Sequence, residues 1–156
     1  MKVQDLMTKN VFCVAVDQSL NDAARLMWEH DCGCAPVVDG ENHVVGMVTD
    51  RDIAMAAYIN GNRLIDMPVS TTQSRELISC RPQDDLSTVQ LKMQSNQVHR
   101  IPVLGENSEP VGIVSLNDIA VAYKSGVRAI KAKELSDTLA AICGSRSSVR
   151  AVQAVA

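Results

Sequence analysis

Apolar positions along the chain change period in a definite order, and that order occurs twice. Val11 to Val16 reads as a short extended run, after which Asp17 or Ser19 can cap a helix whose apolar face is Leu20, Ala23, Ala24 and Met27. Two β-rich runs follow, Ala35-Pro-Val-Val38 and Val44-Val-Gly-Met-Val48, with Asp39-Gly-Glu-Asn-His43 as the hairpin connection. A second helix is predicted from about Asp50 to Ile59, closed by Gly61. From Leu77 the pattern starts again. Asp84 or Asp85 is the cap; Leu86, Val89 and Met93 form the helical face; Ile101-Pro-Val-Leu104 and Val111-Gly-Ile-Val114 flank a connection from Gly105 to Pro110. A helix from about Leu116 to Lys124 is closed by Gly126.

Sliding the chain by 66 positions superposes the two passages without a gap, pairing Pro36 with Pro102, Gly46 with Gly112 and Asp52 with Asp118. The same register matches Leu20 with Leu86, Met27 with Met93, Val48 with Val114 and Ile53 with Ile119. Each unit is β-α-β-β-α and, at under about 60 residues, is too small to bury enough apolar surface alone. The expected fold is therefore α+β, with two repeats packed sheet to sheet about a pseudo-twofold axis, plus a C-terminal helix. The expected boundaries are 1–60 for the first repeat, 61–76 for a linker and entry strand, 77–124 for the second repeat, 125–144 for the extra helix and 145–156 for a tail that frays. The extra helix carries Val127, Ile130, Leu135, Leu139 and Ile142 as a stripe, which suits either a second copy of the protein or the chain's own repeats.

Composition narrows the function classes. The chain is 46% hydrophobic and 21% charged with net charge −3, and no apolar run approaches the length of a membrane helix. Asp5 stands where a secretory leader would turn hydrophobic, so a cytoplasmic location with no membrane association is expected. Mild acidity and few aromatic residues argue against nucleic acid as a partner. Five cysteines with no export signal read as free thiols. Cys32-Gly33-Cys34 lacks the spacing and the second pair of a zinc site. Met27, Met47, Met55, Met93 and Trp28 are expected in the core, and His30 and His43 in solvent. Nothing assembles a nucleophile with a base, so no enzyme activity is expected.

The chemistry concentrates in Gly46-Met-Val-Thr-Asp-Arg-Asp52 and Gly112-Ile-Val-Ser-Leu-Asn-Asp118. Thr49 ends a strand and opens a helix, where free N–H groups and the helix dipole favour a phosphate. Asp52, an acceptor-only carboxylate one turn on, suits the hydroxyls of a ribose. Ser115 and Asp118 repeat the pair. Thr-x-x-Asp and Ser-x-x-Asp before an apolar run also fit a capping box, and the two readings are compatible. With the repeat architecture, both segments resemble a tandem pair of cystathionine-β-synthase (CBS) domains, a Bateman module. The resemblance spans roughly residues 1 to 124. The family's lead-in of an apolar residue and Asp-Leu-Met-Thr stands here as Val3-Gln-Asp-Leu-Met-Thr8, with no counterpart in sequence before Leu77.

The resemblance implies that Thr49, Asp52, Ser115 and Asp118 serve nucleotide phosphate and ribose, while the hairpin proline, Pro102, helps to hold the adenine. Val98-His-Arg-Ile-Pro102 is similar to the family's phosphate-contacting segment, in which cations of one repeat reach the nucleotide held by the other. His99 and Arg100 are thus the candidate phosphate donors, with Arg51 as a further cation. The corresponding residues of the first repeat, Gly33 and Cys34, carry no charge. The implied function is a regulatory module for AMP, ADP, ATP or S-adenosylmethionine, expected to be a homodimer and to signal through an unknown effector protein. A ligand-free interaction protein or a thiol sensor using Cys32 and Cys34 is the alternative.

Overall fold

A computed structural model of the protein describes residues 1–74, 76–127 and 129–144. The tail expected to fray lies outside them. The first repeat comprises β1 (Val14–Ala15), α1 (Leu20–Glu29), β2 (Cys34–Val38), β3 (Val44–Thr49) and α2 (Asp50–Asn60). The second comprises α3 (Leu86–Asn96), β4 (Arg100–Leu104), β5 (Pro110–Ser115) and α4 (Leu116–Lys124), and α5 (Ala132–Cys143) follows.

Strand pairing reproduces the 66-residue offset residue by residue. Cys34 pairs with Thr49 and Val37 with Gly46 in one antiparallel hairpin; Arg100 pairs with Ser115 and Val103 with Gly112 in the other, and both shift register at the same place. β1 joins β2 in parallel through Val14 and Val37, and its counterpart is a single parallel bridge from Cys80 to Val103. Asn42 and Ser108, the equivalent hairpin residues, both take positive φ at 64°. Side chains that alternate along β2 and β3 bury Ala35, Val37 and Val48 against Leu20, Ala23, Met27 and Ile53 of the helices. Ile101, Val103 and Val114 do the same against Leu86, Val89, Met93 and Ile119.

The stretch expected to hold an entry strand instead carries two 3-10 turns, Leu64–Asp66 and Val69–Thr71. Met67 to Ser74 is the structural counterpart of Met1 to Thr8, although the two share little sequence, and each segment lies on the opposite repeat from the one it precedes. Leu20 N donates to Met67 O at 2.8 Å and Val69 N to Gln18 O at 2.8 Å; the equivalents are Leu86 N to Met1 O at 3.1 Å and Val3 N to Asp84 O at 3.0 Å. Val3 and Val69 are fully buried, one in each core. This exchange fastens the repeats together about their pseudo-twofold relationship. It also explains the glycine of each motif: a Cβ on Gly46 would stand 3.1 Å from Ser74 O, and one on Gly112 would stand 2.6 Å from Met7 Sδ.

Two expectations about core side chains are corrected. Trp28 is 88% exposed and Met55 is 43% exposed, because α1 and α2 leave one face uncovered, whereas Met27 and Met93 are buried as expected. His30 is exposed, as expected, and stacks on Phe12 with ring centroids 3.5 Å apart. His43 sits between the carboxylates of Asp39 and Glu41 at 3.4 and 3.6 Å. The extra helix starts at Ala132 and packs on α3 and α4 of its own chain, with Ile130 and Ile142 entering the second core.

Candidate functional site

Thr49 and Asp52 meet at the first turn of α2 as a reciprocal cap. The Thr49 hydroxyl donates to Asp52 Oδ2 at 2.6 Å, Thr49 N donates to the same oxygen at 2.9 Å, and Asp52 N donates to Thr49 Oγ1 at 3.2 Å. Ser115 and Asp118 repeat this on α4 at 2.7, 2.8 and 3.1 Å. Ser19 and Asp22 form a third copy on α1, and there the Ser19 hydroxyl and backbone hold the Asp22 carboxyl below its usual range. The capping reading is therefore realised at all three helices. It leaves the second carboxylate oxygen available, since no donor among the described residues bonds Oδ1 of Asp52 or of Asp118.

The cationic segment divides. Arg100 begins β4 beside Ser115, yet its guanidinium extends to the other repeat: a Cβ on Gly33 would stand 3.7 Å from Arg100 Nη2 and 3.0 Å from Asp50 Oδ2. Gly33 O accepts from Asp50 N at 3.3 Å, which ties this notch to the start of α2. The sequence reading missed Asp50, whose only signal was its place in the first turn, where an acid complements the helix dipole. His99 is exposed, and its carbonyl accepts from Leu116 N at 3.0 Å. Pro102 is buried with its carbonyl taken by Cys80 N, and Arg51 is exposed.

Behind the notch lies an open cavity of about 920 Å³ between α1 and α2, walled by Ala24, Met27, Trp28, Asp31, Asp50 and Arg100 among others. Thr49, Asp52, His99, Pro102, Ser115 and Asp118 are not in its wall. The structure thus brings Arg100 to the first turn of α2 without gathering the full expected set around one cavity. Burial pushes the Cys34 thiol up to about 11 and the Cys80 thiol up to about 12, which keeps both largely protonated near neutral pH. Among the described residues no group of three or more His, Cys, Asp or Glu side chains is placed to hold a metal ion, and no helix is long and apolar enough to cross a membrane.

Comparison with known proteins accords with this geometry. The CBS domain family matches residues 3–58 and 69–125, so its two units begin at Val3 and Val69, the buried anchors of the exchanged segments. The chain is 40% identical to the CBS domain-containing protein YhcV of Bacillus subtilis over 79% of its own length and 86% of that protein. It is 34% identical to Hypoxic response protein 1 of Mycobacterium tuberculosis over 75% of its own length and 81% of that protein. Among solved structures, the CBS domain pair of protein MJ0100, in complex with 5-methylthioadenosine and S-adenosyl-L-methionine, superposes with a TM-score of 0.71 at 25% identity, covering 80% of this chain and 97% of that one. Homoserine O-acetyltransferase of Methanosalsum zhilinae is 29% identical, but over only 23% of that enzyme. Two β-α-β-β-α repeats in a 66-residue register, each with its Gly-x-x-Thr/Ser-x-x-Asp segment, make this chain a member of the CBS domain family, with two CBS domains in tandem.

Proposed function

We propose that this chain is a regulatory module that binds an adenine ribonucleotide, AMP, ADP, ATP or S-adenosylmethionine, and passes the state of its site to an effector protein. Paired CBS domains are generally regulatory ligand-binding modules, and the pair of MJ0100 holds adenosine compounds. The observation that carries the reading is the reach of Arg100 from the second repeat to Gly33 and the first turn of α2. A guanidinium there can take a phosphate or carboxylate in a two-pronged bond, while Asp52 Oδ1 receives a ribose hydroxyl and Thr49 keeps the helix capped. A ligand held by both repeats favours one relative disposition of them, and it shifts the equilibrium by its differential affinity for the two states. The site holds its ligand unchanged, without a catalytic step. The module acts as a homodimer.

A thermal-shift panel of AMP, ADP, ATP and S-adenosylmethionine tests the reading. A bound ligand at about 100 times its Kd stabilises by roughly 2.7 kcal/mol. Stabilisation by at least one of them, reduced in Arg100→Ala and in Asp52→Asn, is the expected result. No shift with any of the four returns the ligand-free interaction protein as the better account.

A further inference from the structure

The notch at Gly33 holds two opposite charges that do not pair with each other. Asp50 comes from the first turn of α2 and Arg100 from β4 of the other repeat, and a Cβ on Gly33 would stand 3.0 Å from Asp50 Oδ2 and 3.7 Å from Arg100 Nη2. Asp50 Oδ1 accepts from Arg51 N at 2.7 Å. Among the described residues nothing donates to Asp50 Oδ2, and the Arg100 guanidinium makes neither a hydrogen bond nor an ion pair. Both side chains are exposed. The two charges act in opposite directions on the nearby Cys34 thiol, which the guanidinium lowers and the carboxylate raises.

The other repeat has the backbone of this notch without its charges. Leu116 N donates to His99 O at 3.0 Å, as Asp50 N does to Gly33 O at 3.3 Å, but at the 66-residue offset the counterparts of Asp50 and Arg100 are Leu116 and Cys34. Nor does the fold need the pair. Thr49 and Asp52 close the cap of α2 between themselves, and although an acid in the first turn suits the helix dipole, that does not account for a cation brought from the opposite repeat.

The two charges sort ligands by what they carry. A phosphate seated on Arg100 lies next to the Asp50 carboxylate, and like charges at that range oppose each other. A group that bears a carboxylate and an ammonium on one carbon meets both residues: the carboxylate takes the guanidinium fork, and the ammonium donates to Asp50 Oδ2. Asp31, the third charged residue in the wall of the adjoining cavity, adds to the negative side. We infer that this site takes an adenosine bearing an α-amino-acid arm, of the S-adenosylmethionine class, in preference to a phosphorylated one, with Arg100 holding the carboxylate and Asp50 the ammonium. The inference rests on the adenosine reading proposed above, in which Asp52 receives the ribose and the group on its 5′ carbon reaches Arg100. Asp50 then determines specificity.

Calorimetry on the full chain with S-adenosylmethionine, S-adenosylhomocysteine, 5′-methylthioadenosine and AMP tests it. Methylthioadenosine keeps the adenosine and the sulfur but lacks the amino-acid arm, and S-adenosylhomocysteine keeps the arm without the sulfonium charge. Both ligands with the arm should bind about tenfold or more tighter than methylthioadenosine, the worth of a charge-assisted hydrogen bond, and tighter than AMP. In Asp50→Asn their affinity should fall about tenfold while that of AMP rises, opposite changes that a loss of folded structure cannot produce; Asp50→Glu should restore the preference. Methylthioadenosine binding as tightly as S-adenosylhomocysteine overturns the inference, as does AMP binding tighter than S-adenosylmethionine, or a preference unchanged in Asp50→Asn; each of these leaves the adenosine site standing. Binding of none of the four overturns the adenosine reading and this inference with it.

Discussion

Arg100 and Asp50 come from opposite repeats and share one notch: a methyl group on Gly33 would stand 3.7 Å from the guanidinium and 3.0 Å from the carboxylate. A cation from β4 thereby reaches the start of α2, and an anion beside it offsets part of its charge. Arg100→Ala is expected to weaken a phosphorylated adenine ligand on the order of tenfold to a hundredfold, the worth of a charge-assisted hydrogen bond. Calorimetry with AMP in low and high salt measures it, and the variant's residual binding should depend less on salt.

Asp50→Asn removes the neighbouring negative charge and keeps the side chain's shape. AMP should then bind tighter by about 0.5–1 kcal/mol, the size of an exposed charge–charge effect. The same titration series measures it, and an unchanged affinity would separate Asp50 from the ligand.

Capping and ligand binding separate at the two equivalent carboxylates. Asp52→Asn and Asp118→Asn each disturb one reciprocal cap, with Thr49 and with Ser115, so each should cost under about 1 kcal/mol in denaturant unfolding. Their effects on ligand should differ, because the guanidinium stands near α2. Loss of affinity in Asp52→Asn with little change in Asp118→Asn is the expected outcome; the reverse moves the ligand to the other repeat.

The tail helix is part of the second core. Ile142→Ala removes a side chain packed among Val89, Met93 and Ile119, and a cost of about 2–4 kcal/mol is expected from urea unfolding. Thr138→Val leaves the amides of Gln90 and Gln94 without their hydroxyl acceptor and should cost about 1–3 kcal/mol.

Thiol chemistry follows burial and pH. Raised thiol pKa values keep Cys34 protonated until the pH approaches about 11 and Cys80 until about 12, so their reactive thiolate is scarce at pH 8 and grows as pH rises toward those values. Exposed Cys143 should react with iodoacetamide first. Mass spectrometry after timed alkylation at pH 8 checks the order; rapid labelling of Cys34 in the folded protein would revive a thiol sensor.

The repeat was legible in the sequence because burial and turn geometry leave side-chain signatures. Leu20 and Leu86, Val48 and Val114, and Ile53 and Ile119 recur because the same apolar positions face two similar cores, and Gly46 and Gly112 recur because a chain crosses close over each. The Thr49-x-x-Asp52 and Ser115-x-x-Asp118 spacings specified caps by themselves. The exchange of lead-in segments was not legible. Val3-Gln-Asp-Leu-Met-Thr8 and Val69-Ser-Thr-Thr-Gln-Ser74 share one buried valine, and what they repeat beyond it is backbone hydrogen bonding, which any side chain permits. The exposure of Trp28 was equally hidden, since its place on α1 cannot tell whether a further helix covers that face. Periodicity fixes which residues of an element share a side. Only the tertiary structure decides what lies against that side, and it alone set Arg100 of one repeat beside Asp50 of the other, because that contact depends on how two separately patterned units dock.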